Sequence, residues 1–148
     1  MRRYRRVSGQ YSEQRGAVLL EALIAILIFS MGILAMVGLQ AAAVSAVSEA
    51  KYRSDASFLA NQIIGVIWAK RGSLGTFACS AGCTTANGNA DTPAWVANVQ
   101  SQLPGVTDAA NQPRITLGGG NNQVTVQVFW QAPQATAQRN HIAVAYIN

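Results

Sequence analysis

The chain is apolar around the whole helical turn in its first third, one-sided in its middle and alternating near its end. No charged residue occurs from Ala22 to Ser48, and the densest part, Ala22 to Leu39, reads ALIAILIFSMGILAMVGL. About 20 apolar residues span a bilayer as a helix, so this stretch is long enough to cross. Further on the apolar residues thin to a stripe. Ala56, Leu59, Ala60, Ile63, Val66 and Ile67 recur at the three- and four-residue spacing of one packed helix face. Lys51, Arg53, Asp55, Asn61 and Gln62 take the opposite face. No proline lies between Ala17 and Thr92, so the pattern predicts one helix from Ala17 to Arg71. Such a helix measures roughly 80 Å at 1.5 Å per residue. Lys70 and Arg71 suit its C-terminal dipole and Gly72 its C-cap. Gly32 and Gly38 each weaken it by about 1 kcal/mol relative to Ala. They mark either sites of local unwinding on assembly or close helix packing in lipid.

Gly72 to Asp91 reads as a loop. Thr92 is expected as the N-cap and Pro93 as the first residue of a short helix, 93–103, with Trp95, Val96, Val99 and Leu103 on its buried face. Pro104-Gly105 ends it. Trp95 is expected in the core rather than as an exposed partner anchor. Arg114 to Leu117 is a short strand. Gly118 to Asn122 is a turn without the Lys and helix of a phosphate loop. In Gln123 to Trp130, Val124, Val126, Val128 and Trp130 share one face, and Thr125, Gln127 and Phe129 the other. A polar loop containing Pro133 precedes a strand from His141 to Ile147, in which Ile142, Val144 and Tyr146 face together. The expected fold is α+β. A three-stranded antiparallel meander over 113–148, four-stranded if the loop adds an edge, is covered on one face by the amphipathic half of the long helix.

Composition sharpens this picture. With 148 residues, 50% hydrophobic and 11% charged, the chain has room for one folded domain and is no disordered tail. The net charge of +5 comes largely from Arg2, Arg3, Arg5, Arg6 and Arg15, with Glu13 among them. The remainder is nearly neutral, which argues against nucleic acid as a partner. Arginines ahead of an apolar segment place the N-terminus in the cytoplasm and the rest across the membrane. Cys79 and Cys83 enclose three small residues and suit an oxidising compartment, so a disulfide is expected. Two cysteines and a remote His141 do not complete a zinc site. One His, no G-x-S-x-G, no H-E-x-x-H and no P-loop leave no catalytic constellation, and neither enzyme activity nor a cofactor is expected. His141 reads as a solvent-facing or core-edge residue.

Three readings compete for the N-terminal segment. A secretory signal peptide could end at Ala41-Ala42-Ala43 or Val44-Ser45-Ala46 and free a secreted binding domain, although its apolar part is longer than usual. A plain signal anchor is the second reading. Neither explains Glu21. A central carboxylate in hydrocarbon costs about 2.5–3.5 kcal/mol, less near a helix end. No Lys or Arg lies between Ala17 and Glu49 to pair with it. The bland account is a Glu that snorkels to headgroups. The third reading starts from Arg15-Gly16-Ala17-Val18-Leu19-Leu20-Glu21, a basic leader ending in Gly with a Glu fifth after it. This resembles the class III leader of type IV pilins and type II secretion pseudopilins, although Ala17 stands where the family prefers Phe.

The resemblance implies that prepilin peptidase cleaves between Gly16 and Ala17, that Ala17 is N-methylated, and that Glu21 meets the N-terminal amine of an adjacent subunit. It divides the chain into a cytoplasmic leader (1–16), a membrane and filament-core segment (17–47) and a periplasmic globular domain (48–148), the lollipop common among pilins. The globular domain comprises helix 48–71, disulfide loop 72–91, helix 93–103 and sheet 113–148. The stretch CTTANGNADTPAWVANVQ, Cys83 to Gln100, together with the V-x-V-x-V-x-W strand, is similar to the PilV (type IV pilus modification) family of minor pilins. That likeness implies a priming or tip complex that initiates pilus assembly and supports adhesion and twitching motility. The implied partners are other minor pilins and the major pilin through the N-terminal helix, the inner-membrane assembly platform and a tip adhesin. Residence is implied in the inner membrane before assembly and in the pilus afterwards. The I-type minor pseudopilins of type II secretion are the alternative.

Overall fold

The computed structural model describes residues 14–107, 109–120, 122–133 and 135–147. The chain divides into two units, Met1–Ser45 and Ala46–Asn148. The division falls just ahead of the expected 47/48 boundary, and side-chain burial begins at Ser48. The expected leader lies outside the described residues over 1–13.

Helix α1 runs over Gln14–Ala69, 56 residues. It begins before the expected Ala17, so Gly16 and Ala17 lie within it. In the first unit it is exposed on every side from Gly16 to Ser45. Its most apolar window has a mean hydropathy of 2.7, long and apolar enough to cross a membrane. Ser30 donates its hydroxyl to the Ile26 carbonyl at 2.7 Å, which satisfies that polar group inside the helix. The helix passes unbroken through Gly32 and Gly38.

In the second unit the expected stripe is the core face of α1. Ala56, Leu59, Ala60, Ile63 and Ile67 are buried and Val66 is half-buried. They pack with a sheet of three antiparallel strands in the order β1 (Arg114–Gly118), β2 (Gln123–Trp130) and β3 (Arg139–Tyr146). Val124, Val126, Val128 and Trp130 form the covered face, with Ile115 beside them. The fold is therefore the expected α+β arrangement of a long helix on a small antiparallel sheet, and no fourth strand occurs among the described residues. Strand β3 starts at Arg139, earlier than expected, because it pairs along the full length of β2: Trp130 opposes Arg139 and Gln123 opposes Tyr146. Gly119 and Gly120 carry φ of 58° and 74° in the β1–β2 turn, a left-handed conformation that favours glycine.

Two helix ends differ from expectation. Helix α1 stops at Ala69, and Lys70 N–H bonds the Val66 and Ile67 carbonyls, both at 3.1 Å. The chain then tightens into a 3-10 helix, Arg71–Phe77, which buries Phe77, so Gly72 is not a C-cap. Helix α2 spans Thr92–Gln102, and Thr92 is its first residue rather than its cap. Asp91 precedes the helix but gives no side-chain cap bond. Asn89 does that work: its Oδ1 accepts from the N–H of Asp91 (3.0 Å), the N–H of Thr92 (3.3 Å) and the Thr92 hydroxyl (3.2 Å). A short amide side chain that folds back on the following backbone competes well for this position.

Candidate functional site

Three features of the chain bear on function: the start of α1, the cysteine loop and the surfaces that α1 and β3 leave open. At the start of α1, Ala17 and Glu21 are four residues apart and stand one turn apart on the same face. Together with Leu20, Ile24, Ala25 and Ile28 they line a shallow groove of about 370 Å³. Glu21 is exposed and makes no ion pair among the described residues. A side chain added at Gly16 would meet nothing within 4 Å. Packing among the described residues therefore does not require glycine there, although glycine costs a helix about 1 kcal/mol relative to Ala.

Cys79 and Cys83 form the expected disulfide, with Cα atoms 5.1 Å apart. The loop is sewn to the edge of β1: Cys79 N–H donates to Ile115 O at 2.9 Å and Cys83 N–H to Pro113 O at 2.7 Å. Gly82 has φ of 133°, and a Cβ there would collide with the Gln112 side chain. So short a covalent loop gains only about 2 kcal/mol from chain entropy. What the crosslink fixes is the segment that covers one side of the sheet.

Helix α2 is fastened to α1 at two points. Trp95 is buried, as expected, and its Nε1–H donates to Leu59 O at 2.9 Å. Lys70 reaches Asp91 at 2.5 Å, across the junction where α1 ends and α2 begins. The pair is substantially exposed, so it contributes at most about 1 kcal/mol. Lys70 thus serves a tertiary contact rather than only the α1 dipole.

The sequence pattern missed several exposed groups. Phe58 and Trp68 stand out from α1 on the side away from the core, in line with Ser54, Asn61 and Gly65. Their spacing is the same three- and four-residue one that marks the core stripe, on the other side of the helix. Ile142, Val144 and Tyr146 do share a face, and it is the open one, at 50%, 51% and 65% exposure. Phe129 also lies on that face, yet it is buried because the Arg114 guanidinium covers its ring at 5.2 Å. His141 is half-buried opposite Val128. Among the described residues no group of three or more His, Cys, Asp or Glu could hold a metal ion. Comparison with known proteins finds no matching family model, no similar curated protein and no similar solved structure.

Proposed function

We propose that this chain is a minor pilin of a type IV pilus, a structural subunit and not a catalyst, acting in the priming or tip complex with other minor pilins. One observation carries the reading: Glu21 is an exposed carboxylate at the head of the uncharged stretch 22–48 of a membrane-length helix, one turn beyond Ala17 and the bond after Gly16. Among the described residues no cation pairs with it. Cleavage after Gly16 by prepilin peptidase supplies one, the α-ammonium of Ala17, which is then N-methylated. A neighbouring subunit's ammonium then meets Glu21 at a single axial position. Every other docking leaves a buried charge unpaired and is penalised. The arginine-rich leader keeps the N-terminus cytoplasmic. The globular unit, with its disulfide, then faces the oxidising side, first at the inner membrane and later on the pilus.

Deleting the gene while scoring surface pili and secreted exoproteins in the same culture tests the assignment. The expected result is at least a tenfold loss of surface pili and twitching with exoprotein secretion unchanged. Loss of secretion with pili intact would transfer the chain to the type II secretion pseudopilins.

A further inference from the structure

We infer that the free edge of β3 is a docking site for an extended segment of another polypeptide, which adds a fourth strand to the sheet and sets a carboxylate between Arg53 and Arg139. This goes beyond the pilin reading and does not depend on it.

The two edges of the sheet are unlike. The β1 edge is closed by the disulfide loop through the Cys79–Ile115 bridge. Nothing among the described residues pairs with the β3 edge. The phase of the ladder shows which groups that edge presents. Cys79 N–H bonds Ile115 O, so Ile115 turns its backbone away from β2. In an antiparallel sheet the bonding sides alternate residue by residue. Val124, Val126 and Val128 therefore bond to β3, opposite Ala145, Ala143 and His141. The Ile147 N–H bond to Asn122 O, 2.8 Å, gives the same phase independently. The N–H and C=O groups of Asn140, Ile142, Val144 and Tyr146 consequently point outward. The side chains of Ile142, Val144 and Tyr146 are the exposed apolar ones of this strand.

Edge strands are usually guarded by Lys, Pro, a bulge or brevity. Strand β3 has eight residues, an unbroken register, neither Lys nor Pro, and its one formally charged side chain, Arg139, stands at its first residue, away from Ile142 to Tyr146. An open template of this kind accepts a strand. A docking helix satisfies its own backbone and would leave the edge groups bare.

Charge selects the occupant. Arg139 at the start of β3 and Arg53 on α1 line a pocket of about 360 Å³ with Glu49 and Ala50. Neither guanidinium lies within 4.0 Å of a carboxylate among the described residues. The site thus holds two cations against one nearby acid and favours an incoming carboxylate. A second copy fits poorly, because the β3 sequence RNHIAVAY contains no Asp or Glu to bring there.

The test uses the full-length protein in detergent micelles and blocked eight-residue peptides of alternating Thr and Val. Each peptide carries Glu at one end or the other, with Lys versions as controls. Amide hydrogen exchange is read residue by residue. One Glu peptide is expected to slow exchange at Ile142, Val144 and Tyr146 at least tenfold. Ala143 and Ala145, already bonded to β2, change little. That peptide should bind at least fivefold more tightly than its Lys version. Val144→Pro removes an outward N–H without touching the β2 ladder and should abolish the slowing. Retained protection at Ala143 and Ala145 shows that this variant is folded. Arg139→Glu should remove the preference for the Glu peptide, and it carries the test should the proline variant unfold. Absence of slowing with every peptide overturns the proposal, as does equal affinity for Glu and Lys versions. Slowing that appears without peptide as the chain dimerises assigns the edge to a second copy and also overturns it.

Discussion

Glu21→Leu is expected to insert into the membrane and to be processed as well as the parent chain, and to enter pili at least tenfold less. The substitution separates two demands that the carboxylate meets differently. For insertion, Leu is favourable at a helix centre by about 0.5 kcal/mol where a charged residue costs several. A defect in anchoring or export therefore predicts no loss, or a gain. For assembly the sign reverses. In the proposed filament Glu21 neutralises the ammonium of a neighbouring Ala17, and removing one member of a buried pair costs about 3–5 kcal/mol because the other is left uncompensated. Tenfold in an equilibrium corresponds to about 1.4 kcal/mol, so even a fraction of that cost is visible. Glu21→Gln keeps the shape and removes the charge, and it should behave like Leu. Immunoblots of sheared pili against membrane fractions give the ratio. Equal incorporation of the Leu variant would show that Glu21 sets no registry.

The second large effect concerns the globular unit. Trp95→Ala should destabilise it by about 4 kcal/mol, within the range for truncating a buried aromatic. Trp95 is almost wholly buried between α1 and the rest of the core, and its indole N–H is the buried bond that ties α2 to the Leu59 carbonyl. Truncation removes both the packing and the tie. Domains of this size are stable by only about 5–15 kcal/mol, so the loss is a large share. Trp95→Phe keeps most of the apolar contact and loses the hydrogen bond. Leu59 O keeps its helical partner, so the expected cost is only about 1–2 kcal/mol. Urea unfolding of the full chain in micelles, followed by near-UV circular dichroism, measures both. A cost below about 1 kcal/mol for the Ala variant would remove Trp95 as the link between the helices.

Much of this architecture was legible because one periodicity governed each segment. The stripe from Ala56 to Ile67 and the alternation from Val124 to Trp130 answer to burial on one face, and the structure buries those residues, Val66 only in part. Legibility failed where local chemistries compete. Thr92 and Asp91 are both good cap types, yet Asn89, further upstream, takes the backbone donors because the loop folds its amide over them. Gly72 looks like a helix stop, but burying Phe77 draws the chain into a 3-10 turn instead. Tertiary position was the other blind spot. The alternation of Ile142, Val144 and Tyr146 marks a shared face without saying whether anything covers it. Arg53 and Arg139 are distant in sequence, and only the packing of α1 on the sheet brings them to one pocket. The start of α1 is the reverse case. Gly16, Ala17 and Glu21 were readable as a pattern, and the fold adds that nothing among the described residues calls for the glycine or pairs with the acid.

In the proposed pilin the bond after Gly16 is cut and the new amine belongs to Ala17. The intact mass and N-terminal residue of the protein purified from its own membranes test this most directly. A chain beginning at Ala17, with the mass of one added methyl group on its amine, is expected. A chain beginning at Val44 or Val47, or one that keeps its arginine-rich start, contradicts it.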